Sequence, residues 1–465
     1  MLPPRDKNPF NLSHLLPAFR SLSRFDKWSS FLLVGLCFTG LQLVLFVAVY
    51  VYMPNRLVTI PYRGTVLGLS ILVILFALNR KKLPRINWVW GCILWFAALY
   101  ALRIFADGYL LNRFLYDAPS TLLLIFIGGS IIPMFALARG ASPLIYRYAL
   151  WGYLSVAITA SLMSAYLYRG FFAGGGGRLM RDQFYGDFVG LNPLTLAYMG
   201  VAVMLVGLAL FTSNLTARTL FTWWRVLPVL FMGLGLVPFV MGSSRGALVA
   251  LIVGAASLIF ARLRREQIGS FFMIVIFCSV GSVIFYFVAL EAGSSIFDRF
   301  TATATQIEDQ ASGAVRLQIW TMSMHDFLRS PIWGYGLTPS GYGGHPHNAL
   351  VESFLATGIL GGIPFTLIFC YVFKRAFQII KYFPEFSWIG VFHIQASVGM
   401  FFSSSLALNT SFWCGMGLVI GLSANLGMER AGWKHRLLAS SGPPGIQPAH
   451  RPFPYPARRG VPARL

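Results

Sequence analysis

The run WSSFLLVGLCFTGLQLVLFVAVYVYM, from Trp28 to Met53, carries no charged side chain. It exceeds the roughly 20 apolar residues that span a bilayer as a helix. Arg5, Lys7, Arg20, Arg24 and Lys27 precede it. The run is too long for the apolar region of a secretory signal and lacks a small-residue cleavage site. It therefore predicts a first transmembrane helix that starts in the cytoplasm. Runs of similar character recur at 64–79, 87–105, 120–138, 146–168, 193–212, 224–242, 246–261, 269–290, 349–373, 386–407 and 409–427, twelve spans in all. The chain has 465 residues, 56% hydrophobic and 11% charged, where a soluble domain carries about 25% charged residues. The predicted fold class is an all-α polytopic membrane protein.

The basic residues fix an orientation on this count. All seven lysines (Lys7, Lys27, Lys81, Lys82, Lys374, Lys381, Lys434) fall between spans on one side, with most of the arginines. An excess of Lys and Arg marks the cytoplasmic side, so both termini are expected there. The net charge of +22 follows from topology and gives no reason to expect nucleic acid. The other side and its helix ends hold only arginine: Arg56, Arg63, Arg103, Arg113, Arg169, Arg178, Arg181, Arg245, Arg299, Arg316 and Arg329. The guanidinium fork binds phosphate bidentately and tolerates partial burial better than an ammonium. An arginine-only outer face thus suggests an anionic ligand; drift of composition toward arginine is the competing explanation.

Five segments follow: a cytoplasmic N-terminal stretch 1–27, nine helices within 28–290, a long outer loop 291–347, three helices within 348–427, and a tail 428–465. The tail is basic and rich in Pro and Gly, and is expected to be disordered and able to touch anionic lipid. Residues 314–328 within the long loop repeat apolar side chains at three- and four-residue spacing, as an amphipathic helix does. A second outer loop, 169–192, contains four consecutive glycines, Gly174 to Gly177, then Arg178 and Arg181. It is not a Walker-type phosphate loop, because no Gly-Lys-Ser/Thr follows.

Where the long loop meets the next helix, the chain reads Gly344-His345-Pro346-His347-Asn348-Ala349-Leu350-Val351-Glu352. Ionisable groups at membrane depth are costly and point to function, and histidine suits proton transfer near neutral pH. Helix capping and residence in the interfacial layer form the alternative. His345 and His347 have few carboxylates and no cysteine beside them, so no metal set is indicated. The five cysteines (Cys37, Cys92, Cys278, Cys370, Cys414) lie inside apolar runs and read as core hydrophobes. Ser243-Ser244 lacks a Gly-x-Ser-x-Gly elbow, which weakens a hydrolase. An ion-coupled transporter would place its ionisable groups at mid-membrane in broken helices; here they gather at the outer interface. The residues fit best a histidine general base flanked by Arg245 and Arg316, which hold a diphosphate leaving group. Glu352 falls one turn below the histidine, where it could orient the imidazole or serve as a helix-packing hydrogen bond.

Ser244-Arg245-Gly246 at a helix junction, Arg316-x-x-x-Trp320 in the long loop, Pro331-Ile332-Trp333-Gly334-Tyr335-Gly336, then His345-x-His347-Asn348 with Glu352 and Gly358-Ile359-Leu360-Gly361 together resemble the O-antigen ligase/polymerase superfamily over roughly residues 190–375. The resemblance implies a GT-C-like glycosyltransferase architecture in the bacterial inner membrane with a periplasmic active site. It implies transfer of polysaccharide from an undecaprenyl-diphosphate-linked donor to a sugar hydroxyl of lipid A–core, without metal or cofactor. His347 would be the base, with Arg245 and Arg316 as diphosphate ligands. His345, Asn348, Glu352, Arg178 and Arg181 are further candidate substrate contacts. O-antigen polymerase and protein O-oligosaccharyltransferase activities share these motifs; the span count and moderate loop favour the ligase.

Overall fold

The structure, a computed structural model, describes residues 23–80, 87–111, 118–139, 144–169, 193–214, 223–262, 312–403 and 405–428, with scattered helical positions between 272 and 291. Among the described residues every regular element is helical. In chain order these are α1 (Arg24–Tyr50), α2 (Asn55–Asn79), α3 (Trp88–Leu110), α4 (Pro119–Leu137), α5 (Ile145–Leu167), α6 (Pro193–Asn214), α7 (Trp223–Gly242), α8 (Arg245–Arg262), α9 (Ser312–Arg329), α10 (Ala349–Tyr382), α11 (Ser387–Gly399) and α12 (Thr410–Asn425). Seven of them (α1 to α6 and α10) are long and apolar enough to cross a membrane, and α7 and α8 are shorter apolar helices. The chain is a multi-pass membrane protein. A helix stands at each span read from the sequence except 269–290, most of which lies outside the described residues.

Local sequence sets the helix starts. Ser23, Asn87, Asn348 and Asn409 each turn a side-chain oxygen onto a free backbone N–H of the first turn of α1, α3, α10 and α12. Lipid is as apolar as leucine, so the helices associate through close packing rather than the hydrophobic effect. α6 and α7 meet at Gly200 and Gly235, where an added Cβ on either would run into the backbone carbonyl of the other. Around α3 the core is aromatic: Phe96 lies 4.8 Å from Phe365 and Tyr100 4.9 Å from Phe126, centroid to centroid.

Two departures from the sequence reading matter for function. The second span, read as starting at 64, is a helix from Asn55, which takes Pro61 and Arg63 inside it. A boundary drawn on polarity stops at the arginine; the backbone does not. The span read as 386–407 is helical only to Gly399, and an irregular segment runs on to Asn409. Irregular backbone is tolerated at such depth where protein satisfies it. Here the Met400 carbonyl accepts from the Ala349 N–H at 3.0 Å, and the Leu406 N–H donates to Glu352.

Candidate functional site

The connection from α9 to α10 is held by its own motif. Gly358 adopts φ +60, which breaks α10 into two helical parts, and Gly334 adopts φ +78. The broken turn frees backbone groups that the loop takes up: the Ile359 N–H donates to the Pro331 carbonyl, and the Leu355 carbonyl accepts from the Tyr335 N–H, both at 2.8 Å. A Cβ on Gly358 would strike the Ile332 carbonyl. Only glycine meets both the left-handed backbone and the close approach, which explains why Pro331–Gly336 and Gly358 occur together in one chain.

Arg103 of α3 completes this clamp. Its guanidinium donates to the carbonyls of Gly334 (2.8 Å), Trp333 (2.9 Å) and Ala356 (2.9 Å), and pairs with Asp107 at 3.4 Å. Asp107 in turn accepts from the Leu337 N–H at 2.8 Å. Asp326, fully buried on α9, accepts from the Ser340 N–H and hydroxyl at 2.6 and 2.8 Å. Trp320 donates its indole N–H to the Pro346 carbonyl, between the two histidines, at 2.9 Å. Arg103, Asp107 and Asp326 escaped the sequence reading as loop anchors, because their partners lie far along the chain or on unmarked backbone.

On this platform His347 sits with φ +56, a left-handed conformation uncommon for a residue other than glycine. Ser243, two residues before Arg245, shares the anomaly with φ +40. The His345 and His347 rings lie 4.2 Å apart. His347 Nδ1 is buried and has no hydrogen-bond partner among the described residues. Burial, then the Arg316 charge, lowers the affinity of His347 for a proton. Burial, then His347, pushes His345 down to about 3. Both imidazoles are therefore neutral at physiological pH.

Arg245 opens α8 and is half-buried; Ser244 caps the helix by accepting from the Ala247 N–H at 3.3 Å. Arg316, half-buried on α9, feels burial first, then Tyr198, Arg245 and Tyr342. Burial and the Arg245 charge both lower its proton affinity, which the two tyrosines partly offset. No described carboxylate pairs with Arg316. The structure thus brings Arg245, Arg316, His345 and His347 into one cluster and adds Tyr198 and Tyr342, which no sequence signal marked. The N-termini of α8 and α10 carry partial positive charge at this same end of the bundle.

The remaining candidates separate. Asn348 is the cap of α10, its Oδ1 accepting from Leu350 and Val351 at 3.1 and 3.2 Å. Glu352 faces away from the histidines: its described partners are the Tyr100 hydroxyl, the Ser405 hydroxyl (2.8 Å) and the Leu406 N–H. It is only 1% exposed, and these bonds tie α10 to α3 and to the 405–406 backbone. Arg178 and Arg181 lie outside the described residues.

Residues 229–366 match the family model described as O-antigen ligase. Over that segment the chain is similar to the O-antigen ligase/polymerase superfamily. The matched segment runs from α7 into α10 and includes Arg245, Arg316, both histidines and the Gly334–Gly358 clamp. No curated protein and no solved structure matches the chain.

Proposed function

We propose that the protein is an O-antigen ligase that transfers a polysaccharide from undecaprenyl diphosphate to a sugar hydroxyl of lipid A–core on the periplasmic face of the inner membrane. The reading is carried by one observation: a neutral, strained His347 stands beside Arg316, a half-buried cation without a carboxylate among the described residues. A ligand with negative charge would complete that pair, and a hydroxyl brought to the imidazole would find a base in its unprotonated form. In this mechanism Arg245 and Arg316 bind the diphosphate and stabilise charge on the departing phosphate oxygen. His347 takes the proton of the acceptor hydroxyl as that oxygen attacks the anomeric carbon. The bond between the sugar and the diphosphate breaks, and undecaprenyl diphosphate leaves.

The test is the lipopolysaccharide ladder of a deletion strain together with transfer by purified protein in proteoliposomes. A ligase deletion accumulates long chains on the lipid carrier and leaves the core uncapped, and wild-type protein restores capping. A core capped with a single repeat unit would instead assign a polymerase. Loss of glycosylated protein with the ladder intact would assign a protein oligosaccharyltransferase. Transfer should also survive excess chelator.

A further inference from the structure

A cavity among the helices shares one wall residue, Tyr198, with the cluster. It measures about 370 Å³ and is formed by α1, α2, α4, α6, α11 and the start of α12. That is the lower range of small-ligand sites. Its walls mix apolar side chains such as Phe38 with polar ones that lack a use elsewhere. Arg63 lines it and is half-buried, with no ion-pair or hydrogen-bond partner among the described residues. Thr39 Oγ1 and Gln42 Oε1, which line it too, are buried and equally unpartnered there.

Arg63 stands eight residues into α2, about 12 Å along the helix from its start at 1.5 Å per residue. A cation at such depth is costly and is expected to meet an anion or a carbonyl. The cavity wall is also irregular where it is polar. α1 widens into a π-helical turn at Leu36–Gly40, which carries Thr39, and the Tyr62 hydroxyl donates to the Leu36 carbonyl at 2.6 Å. Such turns recur at binding sites because they push one residue out of register.

Tyr198 connects the cavity to the cluster. It lines the cavity and is among the groups around Arg316, and a Cβ on Gly246 would meet its hydroxyl at 2.6 Å. Leu408, which also lines the cavity, is 42% exposed.

We infer that this cavity binds the phosphate of a membrane lipid, with Arg63 as its anion ligand and Thr39 and Gln42 as supporting polar contacts. A phosphate on an apolar chain satisfies each feature: the cation, the hydrogen-bonding groups at its side, and the apolar remainder of the wall. Polyprenyl phosphates and anionic glycerophospholipids share this chemistry. The inference does not depend on the transfer reading, since it concerns a cavity lined by Arg63 and not by Arg245, Arg316 or His347.

The test is thermal stabilisation and native mass spectrometry of the purified full chain with three probes: polyprenyl phosphate, phosphatidylglycerol and the uncharged polyprenol. Wild-type protein and Arg316→Ala should both retain a lipid phosphate, and Arg63→Ala should bind it at least tenfold more weakly. Arg63→Lys should fall between them. Polyprenol should bind wild type no better than it binds Arg63→Ala. Arg63-dependent binding of polyprenyl phosphate assigns the cavity to a carrier lipid; the same dependence for phosphatidylglycerol alone assigns it to a bulk lipid. If Arg63→Ala fails to accumulate, Arg63→Gln and Gln42→Leu carry the same comparison. Lipid phosphate binding unchanged by Arg63 substitutions, or lost in Arg316→Ala instead, overturns the inference. His347→Ala should bind the probes as wild type does, so failure here and failure of the transfer reading are separable.

Discussion

The two ends of the helix bundle treat arginine in opposite ways. At the end where α1 begins and α4 ends, Arg139 is 5% exposed and turns both terminal nitrogens of its guanidinium onto protein oxygens. It donates to the Ser29 and Ser30 hydroxyls at 3.0 and 2.7 Å and reaches the carbonyls of Asp26 and Ala136. Asp26 pairs with Arg80 at 3.5 Å. At the other end Arg316 faces another arginine, two tyrosines and a histidine. The contrast also runs within that end, because Arg103 gives its donors to backbone carbonyls. An arginine-only outer face is therefore a mixture. Some of its members hold the fold, and those lacking a protein anion are the candidates for binding a ligand.

The largest effect expected from breaking this contrast is at His347. A general base contributes about 10²–10⁴-fold in rate, so His347→Ala should lose transfer by that factor in proteoliposomes while accumulating normally. His345→Ala should cost much less. Near wild-type transfer by a folded His347→Ala protein would make the histidine structural. Next come the ligand arginines. Arg316→Lys keeps the charge and loses the fork; a charged hydrogen bond is worth about 1.5–3 kcal/mol, so transfer should fall about 10- to 100-fold. Arg245→Lys should behave alike. An Arg316→Lys enzyme with unchanged donor dependence would remove the distinction between the two ends.

Arg139→Ala sharpens the comparison from the other side. It strips the Ser29 and Ser30 hydroxyls of a buried donor, at a cost of about 1–3 kcal/mol. A lower melting temperature is expected, with transfer per folded molecule unchanged. Glu352→Gln should follow the same pattern, since its partners are Tyr100, Ser405 and Leu406; a selective rate loss with normal stability would return it to the chemistry.

The smallest effect concerns pH. Burial and the Arg316 charge put the His347 pKa below its ordinary 6.5, so the neutral base is fully present above 6.5 and is lost only as pH falls through the lowered value. The acid limb of kcat/KM should lie below pH 6.5. Arg316→Gln removes a cation and should move that limb upward. A downward shift would show that Arg316 does not act on His347.

Sequence alone determined the class of molecule and the position of nearly every helix, and it singled out the candidate reactive residues. These are properties of local composition: long apolar runs have no alternative in a bilayer but helix, and charges there must have a reason. The His-x-His-Asn motif was legible because its members are adjacent in the chain. The tertiary structure decided which of two chemically equal residues does which task. Arg103 and Arg316 are indistinguishable as letters, and become anchor and candidate ligand only through what surrounds them. Glu352 lies one turn from His347 in sequence, yet its direction on α10 hands it to α3 and the 400–409 segment. Arg63 looked like a helix boundary and is instead inside a helix, lining a cavity whose walls come from six helices. No local pattern encodes such convergence, because the energy that fixes it lies in contacts between residues hundreds of positions apart.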